Sequence, residues 1–561
     1  MPEAAHYLLW MAIAAVAFIW PLAGERLFRG LGRILGRIAR HSTATWAGIG
    51  VLVLILRAAL LPFWPVPKPV IYDEFGYLLQ ADTFAHGRLT NPPHPLWQFF
   101  ESPYILQHPT YAAKYPPAQG LAMAAGQAIF GDPWFGVWMS CGVMLSALVW
   151  ALQGWLPPRW ALAGGLIAIP LAMNGYWMNS YWGGAVAAIG GALVLGGYAR
   201  VARRKKPVYA LAIGLGLAIL ANSRPFEGLI FSLPVVIALF GSGKARLGSG
   251  KAWLGSGKAW LGSRQAWKPI ALIIAVLAPT AAATGYYNFR VTGNPLQMPF
   301  TEYADQYAYI PLFSFQHLNP VKEWRTPIMR DVHENWEKNQ WEEARSWKLI
   351  PARLEDWRTT ATTLFAGIML LLPVLAFLPA MFRDRRIRLP LISLLAVLAA
   401  TLIEVRDYPH YTAPAVSAAF IVLVQTLRHL RVWKLAGRPV GRFLARALPI
   451  VTVVLAMGSQ AATLIRQVPP ENLQARNARR AQVEQELADA PGDQVILVRY
   501  TDTHSPHEEW VYNSADIDAQ YVVWAHDLGP AADERLLNYY KDRHVWLLQP
   551  DVDALRLEKY R

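Results

Sequence analysis

The chain has 561 residues, of which 54% are hydrophobic and 16% charged, with 24 tryptophans, 23 tyrosines and a formal net charge of +15. Ordinary soluble proteins carry about 25% charged residues, so composition argues against a set of soluble domains, and the positive charge has to be located before it is ascribed to nucleic-acid binding. The one cysteine, Cys141, excludes an intrachain disulfide and a cysteine-based metal site.

Apolar blocks recur from the N-terminus to about residue 466. They predict spans near 7–23, 44–62, 133–152, 160–173, 183–200, 207–222, 226–241, 269–287, 360–381, 389–404, 410–428 and 446–465, close to the ~17–25 apolar residues that a bilayer core requires of a helix. The first block has no basic segment before it and reads as a retained helix rather than a cleaved signal. Residues 117–130 are too short and too glycine-rich to span, and read as an interfacial or re-entrant helix. From residue 467 the pattern changes. Val495–Tyr500, Tyr521–Ala525 and Val545–Gln549 read as short strands, with a helix over 531–542. The expected fold is an all-α polytopic membrane protein of about 12 transmembrane helices, followed by a small C-terminal α/β domain with a right-handed crossover.

Charge orients this plan. Segment 24–43 holds five arginines, 200–207 five basic residues, 241–268 six, 382–388 four and 428–446 six, against two acids, Glu25 and Asp384. Lysine and arginine accumulate in cytoplasmic loops, so these segments are expected inside, while 63–132, 288–359 and the acidic tail are expected outside with both termini. Segment 241–267 repeats Gly-Ser-Gly-Lys with a period of seven. Its lysine is followed by Ala and no strand precedes it, so it reads as a linker rather than a phosphate loop.

Ionisable residues collect at the outer ends of spans: Asp73-Glu74, Arg224 with Glu227, and Glu404 to Tyr411, including Arg406 and His410. Groups so placed are paired or functional. Asp73 has two readings. One makes it the N-cap of a helix starting at Glu74; the other makes one carboxylate a general base for an incoming hydroxyl. Neighbours on a helix point about 100° apart, so one base, with the other acid structural or metal-binding, is the natural division. Arg224 pairs with Glu227, and Arg406 with Glu404 or Asp407, on the structural reading. The aromatics Tyr303, Tyr307, Tyr309, Phe313, Phe315, Trp324, Trp336 and Trp341 of the second external loop suit sugar stacking or an interfacial belt. His333-Glu334 lacks the second histidine of a zinc protease motif. Asp502, His504, His507 and Glu508 suit a metal or, more simply, a solvated acidic loop.

Asp73-Glu74 followed by Tyr77, then Lys114-Tyr115-Pro116-Pro117, then His410-Tyr411-Thr412-Ala413-Pro414 together resemble the GT-C superfamily of polyprenyl-phosphate-dependent glycosyltransferases. The likeness is to its protein O-mannosyltransferase and lipid A aminoarabinose transferase branches. The resemblance covers the layout of residues 44–466, taken as the membrane catalytic domain with external loops 63–132 and 288–359. Residues 1–43 are an additional span and basic loop, and 467–561 a C-terminal extracytoplasmic domain. It implies transfer of a sugar from a polyprenyl-phosphate carrier to an acceptor hydroxyl of a protein, lipid or glycan, on the outer face of a bacterial inner membrane. Inversion, Asp73 as base (with Glu74 beside it) and substrate contacts from Tyr77, Lys114, Arg224, Glu227, Arg406, His410 and Tyr411 are further implications. No nucleotide is needed, no cofactor is assigned, and dependence on a divalent metal stays open. The rival readings are a transporter or flippase and a surface-polysaccharide polymerase or ligase.

Overall fold

The computed structural model describes residues 3–69, 71–174, 176–240, 267–361, 367–466, 473–501, 504–505, 507–552 and 556–560. The Gly-Ser-Gly-Lys repeats and Asp502 lie outside the described residues. Each expected span coincides with a helix, from Glu3–Ile19 to Val440–Arg466. Six helices are long and apolar enough to cross a membrane: Ser42–Ala59, Trp134–Trp155, Gly184–Arg203, Trp267–Thr292, Pro409–Val432 and Val440–Gly458; further apolar helices are shorter. The chain is a multi-pass membrane protein.

Segment 24–43, expected as a basic loop, contains the helix Glu25–Ile38. Its arginines alternate with leucine and isoleucine at helical spacing, and that periodicity outweighs the charge density that suggested a loop.

Small residues let the helices approach. A Cβ on Gly191 would stand 1.9 Å from the carbonyl oxygen of Pro414, so only glycine lets the Pro409–Ala415 turn seat against the Gly184–Arg204 helix. Segment 63–132 contains helix Tyr72–Ala85, an antiparallel pair of Ile105–Leu106 with Ala112–Ala113, and helix Pro117–Phe130. Segment 288–360 contains helices Pro299–Gln306, Glu337–Ala344 and Leu349–Thr360, with a π-helical turn over Asp331–Trp336.

The tail forms the expected strands as Gln494–Val498, Val522–His526 and His544–Gln549, with helix Pro530–Tyr539 before the last. A fourth strand, Arg556–Lys559, was not foreseen. Gln494–Val498 runs parallel to both neighbours, and Arg556–Lys559 closes the edge antiparallel. The central strand is buried along its whole length, as parallel sheets require. One of its faces (Val495 and Leu497) joins the same apolar cluster as Phe99, Phe100 and Tyr111 of segment 63–132. The sheet thereby clamps the loop that carries Asp73.

Candidate active site

The acidic pair divides at the start of the Tyr72–Ala85 helix. Ile71 is the N-cap and Glu74, at the third helical position, reaches back to it: Glu74 Oε2 accepts from the Ile71 amide at 3.2 Å. Glu74 Oε1 accepts from the Tyr181 amide at 3.0 Å. Asp73 is therefore not the cap, contrary to the simpler expectation, because a carboxylate at the third position closes back on the cap residue. Glu74 is 2% exposed and fastens this helix to the segment before Gly184. Its replacement by Ala leaves two amides without their acceptor and is expected to lower stability by about 2–3 kcal/mol, read as a fall in thermal midpoint in detergent.

Asp73 is half-buried and accepts a hydrogen bond from the Tyr115 hydroxyl at 2.7 Å through Oδ1. Tyr115, which interrupts the Lys-Pro-Pro run, is thus the group that orients the acid. It reaches the helix because Gly76 is bare: a Cβ there would stand 2.8 Å from the Tyr115 ring. Tyr77 stacks on the same ring at 4.3 Å. Burial pushes the Tyr77 phenol up to about 12, with Arg224 opposing and Asp73 adding to the shift, so Tyr77 senses both charges.

Lys114 is 6% exposed. Its ammonium lies 3.1 Å from the centroid of Tyr104, 5.0 Å from Tyr303, 5.4 Å from Phe300 and 5.6 Å from Tyr115, and among the described residues it makes no ion pair. Aromatic faces attract a cation without neutralising it. Burial, helped by Arg406, brings its pKa down to about 7, against the pull of Glu337 and Asp73.

Tyr104 joins Lys114 to Arg406. Its hydroxyl accepts from Arg406 Nη1 at 3.2 Å and donates to Glu337 Oε1 at 2.9 Å. Arg406 is ion-paired with Glu337, not with Glu404 or Asp407 as its sequence neighbourhood suggested. The 403–405 backbone instead runs beside Leu312–Ser314, and an extended chain carries adjacent side chains to opposite sides. Arg353 covers that strip, donating to the Glu404 and Val405 carbonyls at 2.8 and 3.0 Å.

Glu337 is 1% exposed and also bonds His333 Nδ1 at 2.9 Å, while His333 Nε2 faces the Tyr303 hydroxyl at 2.9 Å. Burial alone would raise the Glu337 carboxyl, but Arg406, His333 and Lys114 hold it well below the usual range. The Arg406 Nε is buried with no hydrogen-bond partner among the described residues. Sequence reasoning missed Glu337, Tyr104 and His333. The only signal was His333 and Glu337 at helical spacing, inside a loop without apolar periodicity. The π-helical turn, a frequent mark of functional segments, ends where Glu337 begins.

Arg224, Glu227, His410 and Tyr411 form an adjoining group. Arg224 pairs with Glu227 at 3.7 Å, as expected, and lies 4.5 Å over the Tyr411 ring. His410 Nδ1 meets the Tyr176 hydroxyl at 2.8 Å. Tyr408, 5.7 Å from both His410 and Tyr411, connects this group to the Arg406 side.

The aromatics of segment 288–359 divide. Tyr303, Tyr307 and Trp324 are packed inside. Trp336 faces the site, 5.5 Å from the Arg406 guanidinium and 6.3 Å from Tyr72. The tail contributes as well. His507 stands 4.8 Å from Trp336, and its Nδ1 is 3.4 Å from the Tyr72 hydroxyl. His504 is 9% exposed and bonded to Asp551 at 2.6 Å. His504 and His507 are therefore packed, against Asp551 and against the site, rather than lying in a solvated acidic loop. Among the described residues no group of three or more His, Cys, Asp or Glu is placed to hold a metal ion.

No protein-family model and no curated protein matches the chain. Among solved structures, ArnT from Cupriavidus metallidurans bound to undecaprenyl phosphate is 13% identical with a TM-score of 0.49, over 90% of this chain and 93% of that one. The Archaeoglobus fulgidus oligosaccharyltransferase in complex with Zn and sulfate is 12% identical with a TM-score of 0.48, over 91% of this chain and 67% of that one.

Proposed function

We propose that the protein is a membrane glycosyltransferase that moves a sugar from a polyprenyl-phosphate carrier to an acceptor hydroxyl, outside the cytoplasm and with inversion at the anomeric carbon. The observation that carries this reading is the pairing of a half-exposed acid with two cations that have capacity for an anion. Asp73 keeps an oxygen free of the Tyr115 bond. Lys114 is held by ring faces alone, and Arg406 retains a buried, unpartnered Nε–H. A buried cation of this kind is suited to a phosphate, which supplies the charge and acceptor oxygens that the cage lacks.

The chemistry follows from those positions. The acceptor oxygen forms a bond to the anomeric carbon as its proton passes to Asp73. The bond from that carbon to the carrier phosphate breaks, and its electron pair leaves on the phosphate. Lys114 and Arg406 oppose the developing charge, where fixed cations in a low-dielectric site act most strongly. Arg224 and Tyr411 extend the cationic wall, and Trp336 with His507 covers the acceptor side. The charge bias of the arginine-laden turns toward the cytoplasm supports an outer position for Asp73. A transporter has little use for an acid oriented by a tyrosine beside two cations.

The test is the lipid that stays with the purified protein. Mass spectrometry is expected to find polyprenyl-phosphate species, lost on Lys114→Met. Carrier binding is expected to weaken as pH rises through about 7, because the free protein then loses the ammonium. Binding above that pH should take up a proton, measured by calorimetry in buffers of different ionisation enthalpy. Retention of the carrier by Lys114→Met, with no change across that pH range, overturns the assignment.

A further inference from the structure

The Glu25–Ile38 helix takes no part in the chemistry above, yet its sequence is sharply divided. Arg26, Arg29, Arg33 and Arg37 recur at three- and four-residue spacing along one side. Leu27, Leu31, Ile34 and Ile38 occupy the next side and are 65%, 40%, 54% and 48% exposed. The third side is already occupied by the protein. Glu25 is ion-paired with Arg446, whose guanidinium also lies 5.2 Å over Phe28, and a Cβ on Gly36 would meet the Arg159 side chain at 2.8 Å. The helix is thus fixed to the bundle along one side, with its apolar side uncovered and its arginines outward.

Its ends decide what covers that apolar side. Glu3–Ile19 precedes it and Ser42–Ala59 follows, both apolar and the second long enough to cross a membrane. The turn before it exposes Trp20 at 63% and Leu22 at 50%. A helix joined to apolar helices at both ends is held at the membrane boundary. There the uncovered leucines and isoleucines meet acyl chains while the arginines meet headgroups.

We infer that Glu25–Ile38 is an in-plane amphipathic helix that docks on a bilayer surface carrying anionic phosphodiester headgroups. Charge complementarity selects this occupant: four arginines line the side next to the apolar strip, and the one acid of the helix, Glu25, is taken up by ion pairs with Arg446 and Arg29. The helix gives the enzyme a preference for anionic phospholipid on the side opposite the proposed active site, independent of the carrier lipid.

The experiment uses the full chain in nanodiscs of phosphatidylcholine with phosphatidylglycerol. Spin labels are placed through Leu31→Cys and Arg33→Cys, each in a Cys141→Ala background. The label at 31 is expected to be several-fold more accessible to oxygen than to a water-soluble nickel reagent, and the label at 33 the reverse. Phosphatidylglycerol retained over phosphatidylcholine after detergent extraction is expected to fall about five-fold for each of Arg26, Arg29, Arg33 and Arg37 replaced by Gln, the effect of one cation at an anionic surface. A label at 31 as open to nickel as that at 33 overturns the proposal. So does dipolar broadening at 31, which would put a second copy on this side, or unchanged lipid retention in the fourfold Arg→Gln variant. Neither readout depends on sugar transfer, so failure here is separable from failure of the enzymatic reading.

Discussion

Asp73→Asn is expected to reduce sugar transfer by about two to four orders of magnitude, the usual contribution of a positioned general base, while carrier binding stays within a few-fold. The substitution is close to isosteric and keeps an oxygen to accept the Tyr115 hydrogen bond, so the helix start, capped by Glu74, is left intact. The measurement is single-turnover transfer from a saturating carrier, beside equilibrium binding of the same lipid. Tyr115→Phe separates positioning from proton transfer. It should lower the rate by roughly ten- to a hundred-fold, the scale of a misplaced reacting group, and alter the pH profile of the rate, because the acid loses the phenol that donates to it. Full activity in Asp73→Asn moves the chemistry to another group.

Arg406→Ala should have the second large effect, on folding and transfer together. It strands the Glu337 carboxylate, which is 1% exposed, and breaking a buried pair from one side costs about 3–5 kcal/mol. The paired replacement Arg406→Met with Glu337→Leu tests whether that is all. Removing both charges is expected to restore most of the stability but not the transfer rate, because the phosphate still lacks its cation. Thermal unfolding and single-turnover rates on the three proteins decide it. Recovery of transfer along with stability would make the pair purely structural.

The membrane helices were legible because the bilayer acts on each residue directly. A block such as Trp134–Trp155 declares itself by hydropathy whatever it packs against. Asp73 and Arg406 stood out in the sequence as ionisable groups at the ends of apolar spans, and Lys114 through the motif that carries the family resemblance. Their division of labour was not legible. Tyr115 looked like an interruption of a motif, and only the bare surface of Gly76 lets it reach Asp73. Arg57 drew no reading from the sequence, yet it is wholly buried and donates to the Trp64 and Pro65 carbonyls at 2.8 and 3.2 Å. Local pattern cannot report such a backbone cap.

By itself the sequence determined where the chain meets lipid, which segments carry the basic charge, and which acids and cations are out of place in such a setting. Those are properties of single residues and their near neighbours. Which acid caps and which stays free, that Arg406 belongs to Glu337 of a distant loop, and that the tail's His507 lies over the site were decided by tertiary structure alone. An ion pair or a hydrogen bond depends on separation in space, and segments far apart in the chain acquire that separation only when the helices and the sheet have packed.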